Sequence, residues 1–230
     1  MKRMHRDNVE YEFETRLRAG PEEWLPLLLD VYECLSKLAI EMSVRPVVAG
    51  AAAFAFHVEA DPTKNIDIVL SKPLEVGRLA DLLNRLIQSL SERGWMIVGS
   101  RIQQGRSAED WVVQVLVAVK PGRVVGVEVF NLLAMRPLSF YEVEEVIYQG
   151  RVFLVLTRES WVASKLADPS GVDERNLRRL EKMFEAGIDE SRLFQILMKL
   201  SLNTIVQINA KDLLKRTRSE KLRRTLLMLV

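Results

Sequence analysis

Asn65 and Asp67 stand two residues apart in the run Asn65-Ile66-Asp67-Ile68-Val69-Leu70, whose composition predicts a β-strand. Side chains alternate along a strand, so Asn65, Asp67, Val69 and Ser71 share one face while Ile66, Ile68 and Leu70 share the other. With the apolar trio packed inward, two oxygen-bearing groups able to ligate a metal lie side by side on the opposite face. Further along, Glu128 is a lone carboxylate among apolar strand residues. It is either a charge on a solvated sheet face or a third ligand for the same ion. Upstream, Gly50 and the small residues after it form a turn before a helix. Exposed amides at a helix N-terminus attract phosphate, although such a turn also serves plain tight packing.

The elements that must hold these groups follow from periodicity. Residues 1–20 are highly charged and end at Ala19-Gly20-Pro21, a boundary signal. Over 22–42, Leu28, Val31, Tyr32, Leu35, Leu38 and Met42 recur at three- and four-residue steps, which predicts an amphipathic helix. Pro46 ends that run, and Val47-Val48-Ala49 opens the first strand. Gly50 allows close backbone approach or a positive φ, and Ala51-Ala52-Ala53 keep the next helix slender at its start. After the strand over 65–71, a stripe of Leu79, Leu82, Leu83, Leu86, Ile87 and Leu90 predicts another helix, closed by Gly94. Trp95-Met96-Ile97-Val98 reads as a strand and 103–110 as a polar loop. Two β-rich runs, 111–119 and 123–130, flank Lys120-Pro121-Gly122, a hairpin signal. In the second run Val125, Val127 and Val129 form one face, and Val124, Gly126, Glu128 and Phe130 the other. Residues 141–156 predict another hairpin around Gln149-Gly150.

Beyond Thr157 the pattern turns helical. Trp161, Val162 and Leu166 mark a short helix, and Leu177, Leu180, Met183 and Phe184 mark the next. The stretches 191–208 and 212–229 supply one or two more. Strands that alternate with helices, then pair as hairpins, then yield to helices predict an α/β (α+β) domain over 1–157 and a helical domain over 158–230.

Composition narrows the function classes. At 230 residues the chain is ample for a sizeable core, and 48% hydrophobic with 28% charged residues argues against disorder. A net charge of +2 does not by itself imply nucleic-acid binding. Its distribution is more suggestive. Arg175, Arg178, Arg179 and Lys182 fall on one predicted helix, and Lys211, Lys215, Arg216, Arg218, Lys221, Arg223 and Arg224 crowd the last. Such faces either hold an RNA backbone or are simply solvated, and no aromatic residues interleave them for base stacking. Cys34 is the single cysteine, which excludes an intrachain disulfide and a cysteine zinc site. It reads as a buried small hydrophobe, and His57 as a packing or surface histidine. No run approaches the ~18–20 apolar residues of a membrane span. The first residues lack a signal-peptide core, so the expected location is the cytoplasm. The apolar Leu226-Leu227-Met228-Leu229-Val230 predicts packing on the body or on a partner subunit.

Taken in order, these motifs resemble the polymerase-β-like nucleotidyltransferases, and most closely their AbiEii-type branch. Gly50-Ala51-Ala52-Ala53, with His57 close behind, stands where that branch reads GGTAxAxH. Thr63 precedes Asn65-Ile66-Asp67-Ile68 where it reads DIDL. Glu128 in Val-Glu-Val matches its separate third carboxylate, and Trp161-Val162-Ala163-Ser164-Lys165-Leu166 its helix with a lysine. Asp173-Glu174-Arg175-Asn176-Leu177 stands for its Arg-Asp-x-x-Asp-Leu helix. The resemblance spans residues 23–186.

It implies a mixed sheet flanked by helices, followed by a helical C-terminal domain. It also implies transfer of a nucleoside monophosphate from an NTP to an RNA, protein or small-molecule hydroxyl with Mg²⁺ or Mn²⁺. Gly50 and Ala51 would cradle phosphate, with Asn65 and Lys165 also at the nucleotide. Asp67, Glu128 and Asn65 would form the metal set, and Asp67, Glu128, Lys165 and Asp173 the catalytic one. The chemistry asks for such groups, because negative charge builds on the α-phosphate and the leaving pyrophosphate, and carboxylates must hold the ions that neutralise it. The chain departs from the pattern at Asn65 and Asn176, where Asp is usual, at Ala51, where Gly or Ser is usual, and at Asp61-Pro62, which offers no arginine. Those departures support the alternative, a catalytically degenerate fold that binds nucleotide, RNA or protein.

Overall fold

The computed structural model describes residues 18–104 and 110–230. They form a seven-stranded mixed sheet and eight α-helices, numbered here in chain order. Helix α1 (Pro21–Met42) leads to β1 (Pro46–Val48), α2 (Gly50–His57), β2 (Asn65–Leu70) and α3 (Val76–Glu92). Three longer strands follow, β3 (Met96–Gln104), β4 (Trp111–Lys120) and β5 (Arg123–Phe130). After a short 3-10 turn at Leu138–Phe140, β6 (Val143–Tyr148) and β7 (Arg151–Leu156) complete the sheet. The chain ends in α4 (Arg158–Leu166), α5 (Glu174–Ala186), α6 (Glu190–Leu200), α7 (Asn203–Arg216) and α8 (Glu220–Leu227). None of the described helices is long and apolar enough to cross a membrane.

The strand order is β3-β4-β5-β2-β1-β7-β6. The two predicted hairpins, β4–β5 and β6–β7, pair antiparallel, whereas β2–β5 and β1–β7 are parallel. Cross-strand register puts Ile66 opposite Val127, Ile68 opposite Val129, and Val113 and Val115 opposite Val129 and Val127. This row is fully buried and forms the apolar face of the sheet. Tyr32 of α1 and Phe56 of α2 both pack on Phe153 of β7, with ring centroids 4.5 and 5.1 Å apart. Helix α3 lies beside α1 over β3 and β4, burying the predicted leucine stripe. Val69 is buried too, so the opposite face of the sheet is covered at its lower end.

Several local boundaries differ from the sequence expectation. The strand predicted at 95–98 runs on to Gln104, because it pairs with β4 from Ala118 back to Trp111. Residues 105–109 of the predicted polar loop, and 1–17 of the charged N-terminal segment, lie outside the described residues. The stretch 191–229 makes three helices, not one or two. Asp189 caps α6 by accepting from the Ser191 and Arg192 amides, Ser201 breaks it with a left-handed φ of 51°, and Ser219 caps α8. Leu226 is buried, while Leu227, Met228 and Val230 are exposed. Cys34 is buried, as predicted.

Helix α1 is tied to the sheet at its first turn. Glu23 closes a capping interaction with the Gly20 amide (2.8 Å) and also meets Lys120 and Arg123 at the β4–β5 turn. The Lys120 contact first, and Arg123 after it, hold the Glu23 carboxyl down to about 2, from an ordinary value of 4.5. A carboxylate with a depressed folded-state pKa stabilises the fold fully above its unfolded value and loses that contribution as pH falls. Urea melts between pH 4.5 and 2 should therefore show a flatter loss of stability for Glu23→Gln than for the native chain. Equal slopes would remove this contact from the account.

Candidate functional site

On the face away from the valines, a row of polar side chains crosses four strands. Asp67 of β2 is opposite Glu128 of β5, Glu128 is opposite Gln114 of β4, and Gln114 is opposite Arg101 of β3. The Gln114 amide donates to Glu128 Oε1 at 2.9 Å, and Arg101 Nε donates to Gln114 Oε1. Glu128 is only 8% exposed. It is thus no solvated surface charge but a held carboxylate beside Asp67. Asn65, two residues up the same face, is opposite Gly126, which offers no side chain.

The Gly50 turn closes over Asp67. The Ala49 amide donates to the Asp67 carbonyl at 2.9 Å, which extends β1–β2 pairing to the foot of α2. Gly50 has φ +52°, and a Cβ built on it would lie 1.7 Å from Asp67 Oδ2. Glycine is therefore required twice, for the left-handed backbone and for the carboxylate packed against it. From the other side, the buried Trp161 of α4 donates its indole N–H to the Gly50 carbonyl at 2.7 Å. Its ring packs on Phe54 of α2, centroids 5.7 Å apart, and Lys165 Nζ sits 5.7 Å from the same ring. Helix α4 can present Lys165 because Thr157 caps its start and Trp161, Val162 and Leu166 bury its inner face.

These groups line a cavity of about 340 Å³. Its polar side carries Gly50, Asp67, Lys165, Asp110, Asp168 and Ser170, and its apolar side Val112, Phe130 and residues 132–135. Asp168 accepts from the Ser170 amide and hydroxyl at 2.9 and 2.6 Å. Asn209 of α7, nearly buried, donates to the Leu166 and Asp168 carbonyls and fixes this turn from below. In the apolar wall, Leu133 and Arg136 exchange two backbone hydrogen bonds around Ala134 and Met135, whose φ values are 45° and 64°. Two positive φ angles make this a type I′ turn, a conformation that usually calls for glycine or asparagine. Non-glycine residues held there cost on the order of 1 kcal/mol each. Tyr141 and Arg136 anchor the turn through the Leu133 and Leu200 carbonyls.

Of the residues singled out in the sequence, Gly50, Asp67 and Lys165 come together in this cavity. Glu128 and Asn65 stand beside Asp67 in the sheet without lining it, and Ala51 is buried in the first turn of α2. Asp173 caps α5, its Oδ1 accepting from the Asn176 amide at 2.7 Å. His57 is held inside the fold, its Nε2–H donating to the Leu156 carbonyl at 2.6 Å and its Nδ1 lying 3.5 Å from the Glu144 carboxylate. The sequence reading missed Asp110, Asp168, Gln114 and Asn209. Gln114 stands in alternation with Val113 and Val115, and a polar residue inside such a valine run was the available signal.

The donor set is suited to a hard cation only in part. Among the described residues, no group of three or more His, Cys, Asp or Glu is placed to hold a metal ion. Asp67 and Glu128 can offer two carboxylates, with the neutral Asn65 amide beside them. Magnesium commonly takes one or two protein carboxylates and fills its shell with water and substrate phosphates. The pair fits an ion that arrives with a phosphate ligand rather than a resident one.

No protein-family model and no curated protein sequence matches the chain. Among solved structures, it is similar to an antigenic nucleotidyltransferase-like protein from Paracoccidioides brasiliensis, with 14% identity and a TM-score of 0.49 over 86% of this chain and 95% of that one. It is also similar to ANT(2″)-Ia in complex with adenylyl-2″-tobramycin, with 11% identity and a TM-score of 0.44 over 76% and 96% of the two chains. A third is the Cid1 poly(U) polymerase with MgGTP bound, with 10% identity and a TM-score of 0.33 over 80% and 47%.

The Gly50–Asp67 contact makes a direct prediction. Gly50→Ala should destabilise the chain by at least about 1–2 kcal/mol from the left-handed backbone alone. Because the new methyl group meets the Asp67 carboxylate, Gly50→Ala combined with Asp67→Ala should cost less than the two single changes added together. Strict additivity in chemical denaturation would show that the contact contributes nothing.

Proposed function

We propose that this chain is a Mg²⁺-dependent nucleotidyltransferase of the polymerase-β-like kind, in the AbiEii-type branch that its motifs resemble. The observation that carries the reading is the Asp67 carboxylate, packed against a side-chain-free Gly50 turn in a cavity shared with Lys165, with Glu128 in register beside it. An NTP would enter with its triphosphate toward the Gly50 turn and Lys165, a point charge suited to phosphate. The apolar wall of Val112, Phe130 and residues 132–135 would receive the less polar part of the nucleotide. Asp67 and Glu128 would hold Mg²⁺ or Mn²⁺, with the Asn65 carbonyl as a neutral third donor. The ion, when bound, neutralises charge that develops on the phosphates.

In the transfer itself an acceptor hydroxyl oxygen bonds to the α-phosphorus while the bond from that phosphorus to the bridging oxygen breaks. The electron pair leaves with pyrophosphate. Glu128, next to Asp67 in the sheet, would either help hold the ion or take the hydroxyl proton, with the Gln114 amide keeping its carboxylate oriented. Asp173, whose Oδ1 accepts from the Asn176 amide, would fix the start of α5 rather than act on substrate. The acceptor is a hydroxyl of RNA, protein or a small molecule.

Asn65 supports a second reading, a nucleotide-binding module that performs no transfer. An amide in the first acidic position brings no charge to the ion, and metal stabilisation is the principal help this chemistry receives.

Thermal melts with each of the four NTPs and Mg²⁺, run beside transfer assays with α-labelled NTP, separate the readings. Under the first, at least one NTP raises Tm and label appears on an acceptor, Asp67→Ala lowers transfer at least about 100-fold, and Lys165→Ala weakens NTP binding about tenfold. Under the second, Tm rises without transfer, and Asn65→Asp gains metal affinity or activity. No rise in Tm with any NTP, and no labelling, would overturn both. Mg²⁺ alone should bind far more weakly than Mg²⁺ with a non-hydrolysable NTP, measured by titration calorimetry.

A further inference from the structure

A second cavity of about 290 Å³ opens at the other end of α2, where the loop after Val58 passes under α5. Its walls carry five cations, Arg18 ahead of α1 and Arg175, Arg178, Arg179 and Lys182 on α5, against two carboxylates, Glu59 and Asp61. The excess is three positive charges in a concave space. Asp61 alone answers two guanidinium groups. It accepts from Arg175 at 2.9 Å, from Arg179 Nε at 3.0 Å, and from Arg179 Nη2. Glu59 pairs with Lys182. Arg18 and Arg178 make no salt bridge among the described residues.

The cluster is built rather than incidental. Arg179 is 6% exposed, and its guanidinium lies 5.4 Å from the centroid of the buried Phe54 ring. Arg175 also donates to the Pro62 carbonyl. Burial and then the neighbouring Arg179 depress Arg175 below its ordinary value, as crowding of like charges requires. Burial works to raise Asp61, yet Arg179 and Arg175 hold it below the usual carboxylate range. Holding several guanidinium groups together around one carboxylate is electrostatically costly unless another anion completes the set. The planar fork of arginine is matched to phosphate oxygens, and a pocket, unlike a flat basic face, suits a terminal or free phosphate.

We propose that this pocket is a phosphate-binding site, separate from the Asp67 cavity, in which Arg175, Arg178 and Lys182 of α5 contact a phosphate-bearing ligand and Arg179 is the fixed charge behind them. The site does not rest on the nucleotidyl-transfer reading, and either can fail alone. Its ligand is a free polyphosphate-type anion or the phosphates of an RNA strand, two sources of the same chemistry.

The full chain carrying Lys165→Ala, which removes the cation of the other cavity, is titrated with tripolyphosphate by calorimetry. Fluorescein-labelled oligo(U) of twelve nucleotides is titrated in parallel by anisotropy. At least one probe should bind, and Arg178→Ala with Lys182→Ala should weaken it about tenfold or more at unchanged Tm. Lys211→Ala with Lys215→Ala removes equal charge from exposed positions elsewhere and should leave binding unaltered. Binding of tripolyphosphate assigns a free anion, and binding of the RNA alone assigns a strand. No binding of either probe, no effect of the α5 pair, or an equal effect of the control pair would overturn the site. Should the α5 double variant lose its fold, Arg178→Glu, at an exposed side chain, carries the same test.

Discussion

The packing of the Asp67 carboxylate against Gly50 is the constraint from which the rest of this molecule can be read. It demands a residue without Cβ, a left-handed backbone at the foot of α2, and a β1–β2 pair that continues through the Ala49 amide to the Asp67 carbonyl. Trp161 completes it from a distant part of the chain by bonding the Gly50 carbonyl. Two neighbouring segments and a helix residue 111 positions away therefore meet at one peptide. Relaxing any of them would move the carboxylate, the turn and the helix that carries Lys165 together.

The parallel join of β2 to β5 does the complementary work. An antiparallel hairpin brings together residues that are already close in sequence. This crossover instead sets Asp67 beside Glu128, with α3, β3 and β4 lying between them in the chain. The β4–β5 hairpin then supplies Gln114 as a fixed donor to Glu128. Polar residues in this sheet are thus held by one another, with burial raising the cost of breaking the row.

Much of this architecture was legible in the sequence, because period and turn chemistry are local signals. The leucine stripe of α3, the Lys120-Pro121-Gly122 hairpin and the Gln149-Gly150 turn all state their conformation within a few residues. The NIDIV pattern gave the two faces of β2 directly. What it could not state was which strand lies next to β2, and hence whether Glu128 faces Asp67 or water. Asp168 and Asn209 were invisible for a similar reason. One is a turn residue whose role comes from the helix beneath it, and the other reads as an ordinary polar position of an amphipathic helix until α7 is docked on α4. The helix break at Ser201 was missed because serine in a left-handed conformation leaves no compositional mark.

The register of β2 against β5 also acts as a ruler. Neighbouring strands keep a spacing of about 4.8 Å whatever side chains they carry. The separation of the Asp67 and Glu128 backbones is therefore a property of the sheet, and the reach of each acid is set by its own length. Side chains on such a frame can be exchanged one at a time while their mounting stays still, and position 65, whose register partner is a bare glycine, is one such mounting. The fold can in this way outlast changes in its chemistry, with a single residue deciding what the unchanged scaffold does.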